Sequence, residues 1–250
     1  MSTLRWQTAD DVIGRQTHGI EGIGLYRPKL SEEASIDRLG TSGLQRTSLS
    51  WLAGLLDEFG PGDAQWDDEV RDAIGAAQRS GAAYLVVATG HAGGYSSGHG
   101  RRVLADRVRE VADLAAERTV GVAIEMVAYR NDERRAVDRL EQLIDLAACV
   151  DRQNVRLVLP ATAAVIADER SRELAAVIRY GGESSPDAGP ALGLTEALTA
   201  LAGADYRGVF EYDVRDASSG HVCCGGYVRG LESLRRAAFA AASATCGPTV

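Results

Sequence analysis

The chain has 250 residues and 26.5 kDa, with 45% hydrophobic and 25% charged residues, a make-up that suits one globular α/β domain over residues 1–250. Its net charge of −8 argues against a phosphate-tracking surface and so against nucleic acid as a partner. No apolar run reaches membrane-spanning length and MSTLRWQTADD lacks a signal peptide's basic and apolar regions, so the expectation is a cytoplasmic protein acting on a small molecule, with no membrane partner.

In chain order, residues 4–7 read as a weak first strand and 9–16 as a helix with Thr8 at its N-cap. Residues 23–26 are a second strand, closed by Arg27-Pro28, and LQRTSLSW (44–51) alternates well enough for a third. Residues 66–79 are helical, and YLVVAT (84–89) is a buried fourth strand. The glycine-rich GHAGGYSSGHG (90–100) precedes an amphipathic helix over 102–118. Residues 120–126 and 155–159 are strands five and six, and between them Ala136, Leu140, Leu143, Ile144 and Ala147 recur at helical spacing. AAVIRY (175–180) is strand seven, a helix lies near 194–201, residues 208–214 are strand eight, and a last helix runs from about 227 to 242. Strand, crossover helix and buried strand over 118–160 make a parallel βαβ unit. Eight such strands alternating with helices predict a closed (β/α)8 barrel, with an open doubly wound sheet as the rival.

Glu125 ends strand five, at the edge where such folds carry their chemistry. Glu211 and Asp213 share one face of strand eight at period two. These carboxylates are expected to meet in one half-buried cup with no cation between them. Their pKa values then split, so that one is protonated while another is ionised, as proton abstraction and return beside a carbonyl requires. The competing arrangement pairs them with arginines such as Arg27, Arg156 or Arg179. His91, directly after strand four, is a candidate proton relay or substrate ligand, and equally a hydrogen-bonded loop residue. Ser48, Ser50 and Trp51 end strand three and form pocket wall, although Trp51 suits a core as well. Tyr129 and Arg179 complete the candidate substrate contacts.

Other features weigh less. Lys29 is the only lysine, so any Schiff-base chemistry would have to use it. His18 and His99 suit surface or packing roles. Cys223-Cys224 near His221 is a poor chelate for one metal, and the four cysteines have neither C-x-x-C spacing nor a disulfide framework. The glycine-rich loop lacks the lysine–serine end of a phosphate cradle. The excess of arginine over lysine, with abundant alanine, points to a GC-rich bacterial source.

Taken together, GIEGIGLYRPKL, RTSLSWL, AAYLVVATGH, LAAERTVGVAIEM and YRGVFEYDV resemble the sugar phosphate isomerase/epimerase family, the xylose isomerase-like barrels that include endonuclease IV. The resemblance implies a divalent metal held at the ends of strands five to eight by Glu, Asp, His or Gln, and Glu, with the glutamates doubling as proton carriers. It also implies that Tyr26 and Arg27 line the mouth. Carried over, the first ligand is Glu125 and the second falls on Pro160, which has no side-chain donor. The third falls near Ile178 or Arg179, and the fourth on Asp213, with Glu211 one inward step earlier. Two of four positions keep an oxygen donor, so the metal is expected to be absent or weakly held at Glu125 and Asp213. A shifted alignment would instead bring in His91, Glu183 or His221.

The function expected is a metal-independent isomerase, or a lyase- or cyclase-like enzyme of specialised bacterial biosynthesis, acting alone or as a homo-oligomer without a cofactor. The alternatives are a non-catalytic barrel that binds a ligand or partners an active homologue, and a conventional metal-dependent sugar isomerase.

Overall fold

The structure is a computed structural model and describes residues 19–30, 33–56, 64–92, 94–126, 135–181, 192–213 and 236–241. The strand expected at 4–7, the helix at 9–16 and most of the last helix lie outside these residues. Seven strands run parallel in one sheet in chain order: β1 (Gly22–Tyr26), β2 (Gln45–Leu52), β3 (Tyr84–Ala88), β4 (Gly121–Glu125), β5 (Val155–Pro160), β6 (Ala175–Tyr180) and β7 (Val209–Tyr212). Helices α1 (Glu33–Thr41), α2 (Ala64–Ser80), α3 (Ser97–Ala116), α4 (Leu140–Val150), α5 (Ala163–Ala167), α6 (Glu169–Leu174) and α7 (Leu194–Gly203) fill the crossovers. A 3-10 turn, Arg27–Leu30, follows β1.

The sheet curls until its ends meet across the interior. Glu211 on β7 accepts hydrogen bonds from Thr47 and Ser48 on β2, which makes the sheet a nearly closed barrel. Strand alternation sorts side chains into two apolar layers. Leu49, Leu85, Val87, Val122, Ile124, Leu157, Leu159 and Ile178 point outward and pack with Val70, Ile74, Leu104, Val108 and Leu143 of the helices. Val86, Ala123, Val158, Ala176 and Val177 form a smaller cluster, with Trp51, Tyr84 and Val209 against it. Each fully buried aliphatic chain contributes about 1.5–3 kcal/mol relative to exposure, so the outer layer carries most of the stability. The inner cluster is built from small residues and floors the site.

Several elements depart from the sequence-based expectation. Helix α1 was not anticipated, because Ile36 and Leu39 are too sparse an apolar stripe to register. Helix α3 begins at Ser97, so the glycine-rich segment already turns helical, and a Cβ at Gly100 would lie within 3.5 Å of Ala136. Helix α4 begins at Leu140 because Arg139 is extended, leaving Ala136 and Val137 as a buried lead-in. Helices α5 and α6 are too short for a periodic signal, yet both carry caps. Thr162 accepts from the Val165 N–H and Asp168 from the Ser171 N–H. Among the described residues, no helix is long and apolar enough to cross a membrane.

Candidate active site

Three charged side chains converge at the C-terminal end of the barrel. Glu125 is the last residue of β4, Arg179 lies one before the end of β6, and Glu211 sits on β7 directly opposite Arg179 in the ladder. Arg179 donates from Nε (3.2 Å) and Nη2 (2.8 Å) to Oε2 of Glu211, and from Nη1 to Oε1 of Glu125. Glu211 is further held through Oε1 by the hydroxyls of Thr47 (2.6 Å) and Ser48 (2.7 Å). The indole Nε1 of Trp51 donates to Oε2 of Glu125 at 2.6 Å, and Tyr26 meets the Trp51 ring edge-on with centroids 6.2 Å apart.

The carboxylates therefore do not meet without a cation. The guanidinium of Arg179 stands between them, which corrects the sequence-based expectation. The physical reason is burial: Glu211 is 4% exposed, and an ionised carboxylate at that depth requires a paired charge and donors for its lone pairs.

A bulge explains how two adjacent residues, Thr47 and Ser48, both reach Glu211. Ile23 pairs with Arg46 and Gly24 with Ser48, so Thr47 is the extra residue and strict alternation fails there. Gly24 completes the cradle, because a Cβ at that position would lie 2.8 Å from Oε1 of Glu211. Thr47 escaped sequence analysis for this reason; a bulge leaves no mark in a hydropathy pattern.

The charges follow from the packing. Burial pushes the Glu211 carboxyl up, but the Arg179 guanidinium foremost, with help from the Thr47 and Ser48 hydroxyls, counters it, and the group lies well below the ordinary carboxylate range. Burial pushes Arg179 the other way, and its two carboxylate partners outweigh that, raising it above the ordinary arginine value. Two anions and one cation leave a formal charge of −1 on the cluster. Glu125 is the most accessible member, with its side chain 13% exposed against 4% for each of the others. Nearby, the buried hydroxyls of Ser50 and Thr89 have no hydrogen-bond partner among the described residues. Ser50 stands in the ladder between Tyr26 and Val86, on the inward face.

The other candidates scatter. Asp213 is buried just past β7, with its N–H donating to the Tyr180 carbonyl at 2.7 Å, and it is not among the partners of Arg179. Arg27 turns to α2, where it binds Glu69 and approaches Asp72 at 3.9 Å, instead of facing the mouth. His91 is exposed and forms an isolated antiparallel bridge with Arg135. Arg156 pairs in register with Ala123, one inward step below Glu125. His99 is exposed, against Tyr95 and Arg102. Tyr129, His18, Glu183, His221, Cys223 and Cys224 lie outside the described residues, as does the Lys29 side chain.

The family model for the xylose isomerase-like TIM barrel matches residues 16–237. Three solved structures illustrate the likeness. A zinc-binding IolI protein superposes with a TM-score of 0.74 at 16% identity, covering 97% of this chain and 95% of its own. The 3-keto-D-glucoside 4-epimerase of E. coli gives 0.71 at 14% identity, covering 94% and 97%. The D-psicose 3-epimerase of Clostridium cellulolyticum H10, solved with D-tagatose, gives 0.64 at 15%, covering 94% and 91%. Identities this low speak to the fold alone. No curated protein matches the chain.

The positions that the resemblance assigns to a divalent ion are Glu125, Pro160, Ile178 or Arg179, and Asp213 with Glu211 one inward step earlier. Pro160 offers no side-chain donor and lies in register beside Arg179. Arg179 already spans the two glutamates an ion would need. A divalent ion about 4 Å from the guanidinium would meet a repulsion on the order of 8 kcal/mol at an effective dielectric of about 20. Among the described residues, no three His, Cys, Asp or Glu side chains converge. The donor set among the described residues does not fit the ion.

Proposed function

The chain belongs to the xylose isomerase-like TIM barrel family, and on that premise we propose that it is a metal-independent enzyme of the isomerase and epimerase kind. It moves a proton beside a carbonyl of a small oxygenated substrate, and Glu125 carries the proton. The observation that supports this most directly is the setting of Glu125: the end of β4, partly exposed, each oxygen oriented by one donor.

Roles divide according to burial. Glu211, with its pKa at about 2, stays ionised near neutrality and exchanges no proton; it positions Arg179. Glu125 takes the proton from the carbon next to the carbonyl, the C–H electron pair moves into a carbon–carbon double bond, and the carbonyl oxygen becomes an enolate. Arg179 has five N–H bonds and uses three on the carboxylates, which leaves two for that oxygen. Protonated Glu125 then returns the proton on the same face to the neighbouring carbon while that carbon's hydroxyl proton passes to the former carbonyl oxygen, giving isomerisation; epimerisation requires the enolate to turn its other face to Glu125 before the proton is returned. Loss of a β-hydroxyl as water, or ring closure, starts from the same enolate. The Ser50 hydroxyl, without a hydrogen-bond partner among the described residues, is suited to bind a substrate oxygen.

The test is solvent-deuterium incorporation, followed by proton NMR, over a panel of ketoses and small hydroxyketones with chelator-treated protein. Exchange by the wild-type chain and its loss in Glu125→Gln support the assignment. Exchange at an unchanged rate in Glu125→Gln removes it.

A further inference from the structure

The geometry points to Arg179 as a tethered replacement for the divalent cation: its guanidinium fills the space between Glu125 and Glu211, excludes a metal ion from it, and supplies the positive charge an ion would bring. This deepens the proposed function by naming what answers the charge of the enolate, but it stands on separate observations. The guanidinium is bonded to both carboxylates, and its side chain is 4% exposed. It lies in register between Pro160 on β5 and Glu211 on β7, so neighbouring strands present one position without a donor and one whose donor is already engaged. Glu211 has its remaining oxygen closed by Thr47 and Ser48, so both of its oxygens are occupied. Trp51 does the same for Glu125. An entering ion would have to break these bonds and eject a buried cation.

A guanidinium differs from a metal ion in what it can recognise. It donates hydrogen bonds in one plane to a single planar oxyanion, whereas an ion gathers two adjacent hydroxyl or carbonyl oxygens about itself. The substrate class follows: a carbonyl compound presenting one oxygen to Arg179, with no need of a chelating vicinal diol.

If the guanidinium is what keeps metal out, removing it should let metal in. The experiment titrates the purified full chain with manganese alone, by calorimetry and by thermal shift, in wild type, Arg179→His, and Arg179→His combined with Pro160→Asp. The expected result is no saturable binding to wild type at millimolar manganese. Arg179→His should bind one equivalent, and the double variant at least tenfold more tightly. Circular dichroism shows whether each variant folds, and Arg179→Gln serves if Arg179→His does not. Stoichiometric binding to wild type that Glu125→Gln abolishes overturns the inference, as do folded variants that all fail to bind. Since no turnover enters, a chain that refuses manganese yet exchanges no protons contradicts the proposed function and leaves the exclusion of metal by Arg179 standing.

Discussion

The indole of Trp51 and the carboxylate of Glu125 are joined by a 2.6 Å hydrogen bond between β2 and β4, residues 74 apart in sequence. The bond leaves Glu125 with one oxygen set by a neutral donor and the other by Arg179. Trp51→Phe keeps an aromatic ring, though a smaller one, and removes the donor. Stability should fall by about 1–2 kcal/mol, the usual worth of a hydrogen bond to a charged group at a partly exposed site. Deuterium exchange into a substrate of the panel should slow at least tenfold, because the carboxylate loses its orientation. Urea denaturation and exchange rates measured on one preparation check both.

Gly24→Ala should destabilise the chain by about 1–3 kcal/mol. The new methyl would lie 2.8 Å from Oε1 of Glu211 and 3.1 Å from the Ser48 hydroxyl, both fixed by the network. Gly40→Ala is the control, since nothing lies within 4 Å of its added Cβ in α1, and it should be neutral or stabilising by about 0.5–1 kcal/mol. Equal denaturation midpoints for the two variants would contradict the cradle.

The depressed pKa of Glu211 makes stability depend on acid. The folded value of about 2 lies below the unfolded reference of 4.5, so its contribution is complete above that reference and is lost as pH falls through the folded value. The window is roughly pH 5 to 2, and the contribution is on the order of 3 kcal/mol. Glu211→Gln should be less stable at pH 7 by about 3–5 kcal/mol, because it strips a buried guanidinium of the deeper of its two carboxylate partners. Its stability should also vary less across the acid window, as stability curves at successive pH values would record.

Ser50→Ala separates binding from folding. The hydroxyl is buried without a partner among the described residues, so removing it should leave stability unchanged or raise it by about 1 kcal/mol. Loss of a substrate contact should nevertheless raise KM. A destabilised variant with unchanged KM would assign the hydroxyl to the fold.

Much of the barrel was legible because its strands announce themselves. YLVVA, GVAIE, VRLVLP and AAVIRY are apolar runs of β-branched and small residues at regular spacing, and all four are strands. Glu125, Ser48, Trp51 and Glu211 could be placed near the mouth by counting along such strands. The sequence admits the bridge through Arg179 only as one of three competing arginine pairings and does not select it. Its partners lie 54 and 32 residues away, and period two alone does not tell whether Ile178 or Arg179 faces inward until a neighbouring strand sets the register. Glu211 and Asp213 share a face, so sequence could not rank them by depth; the ladder places Glu211 opposite Arg179. Thr47 depends on a bulge, which has no compositional signature.

What lies between Glu125 and Glu211 decides the chemistry of this site. Crystals soaked in manganese, measured just above the manganese absorption edge, test it directly. The expected result is continuous density for the Arg179 guanidinium between the two carboxylates and no anomalous peak there. An anomalous peak about 2.2 Å from oxygens of both glutamates, with Arg179 displaced, would contradict it.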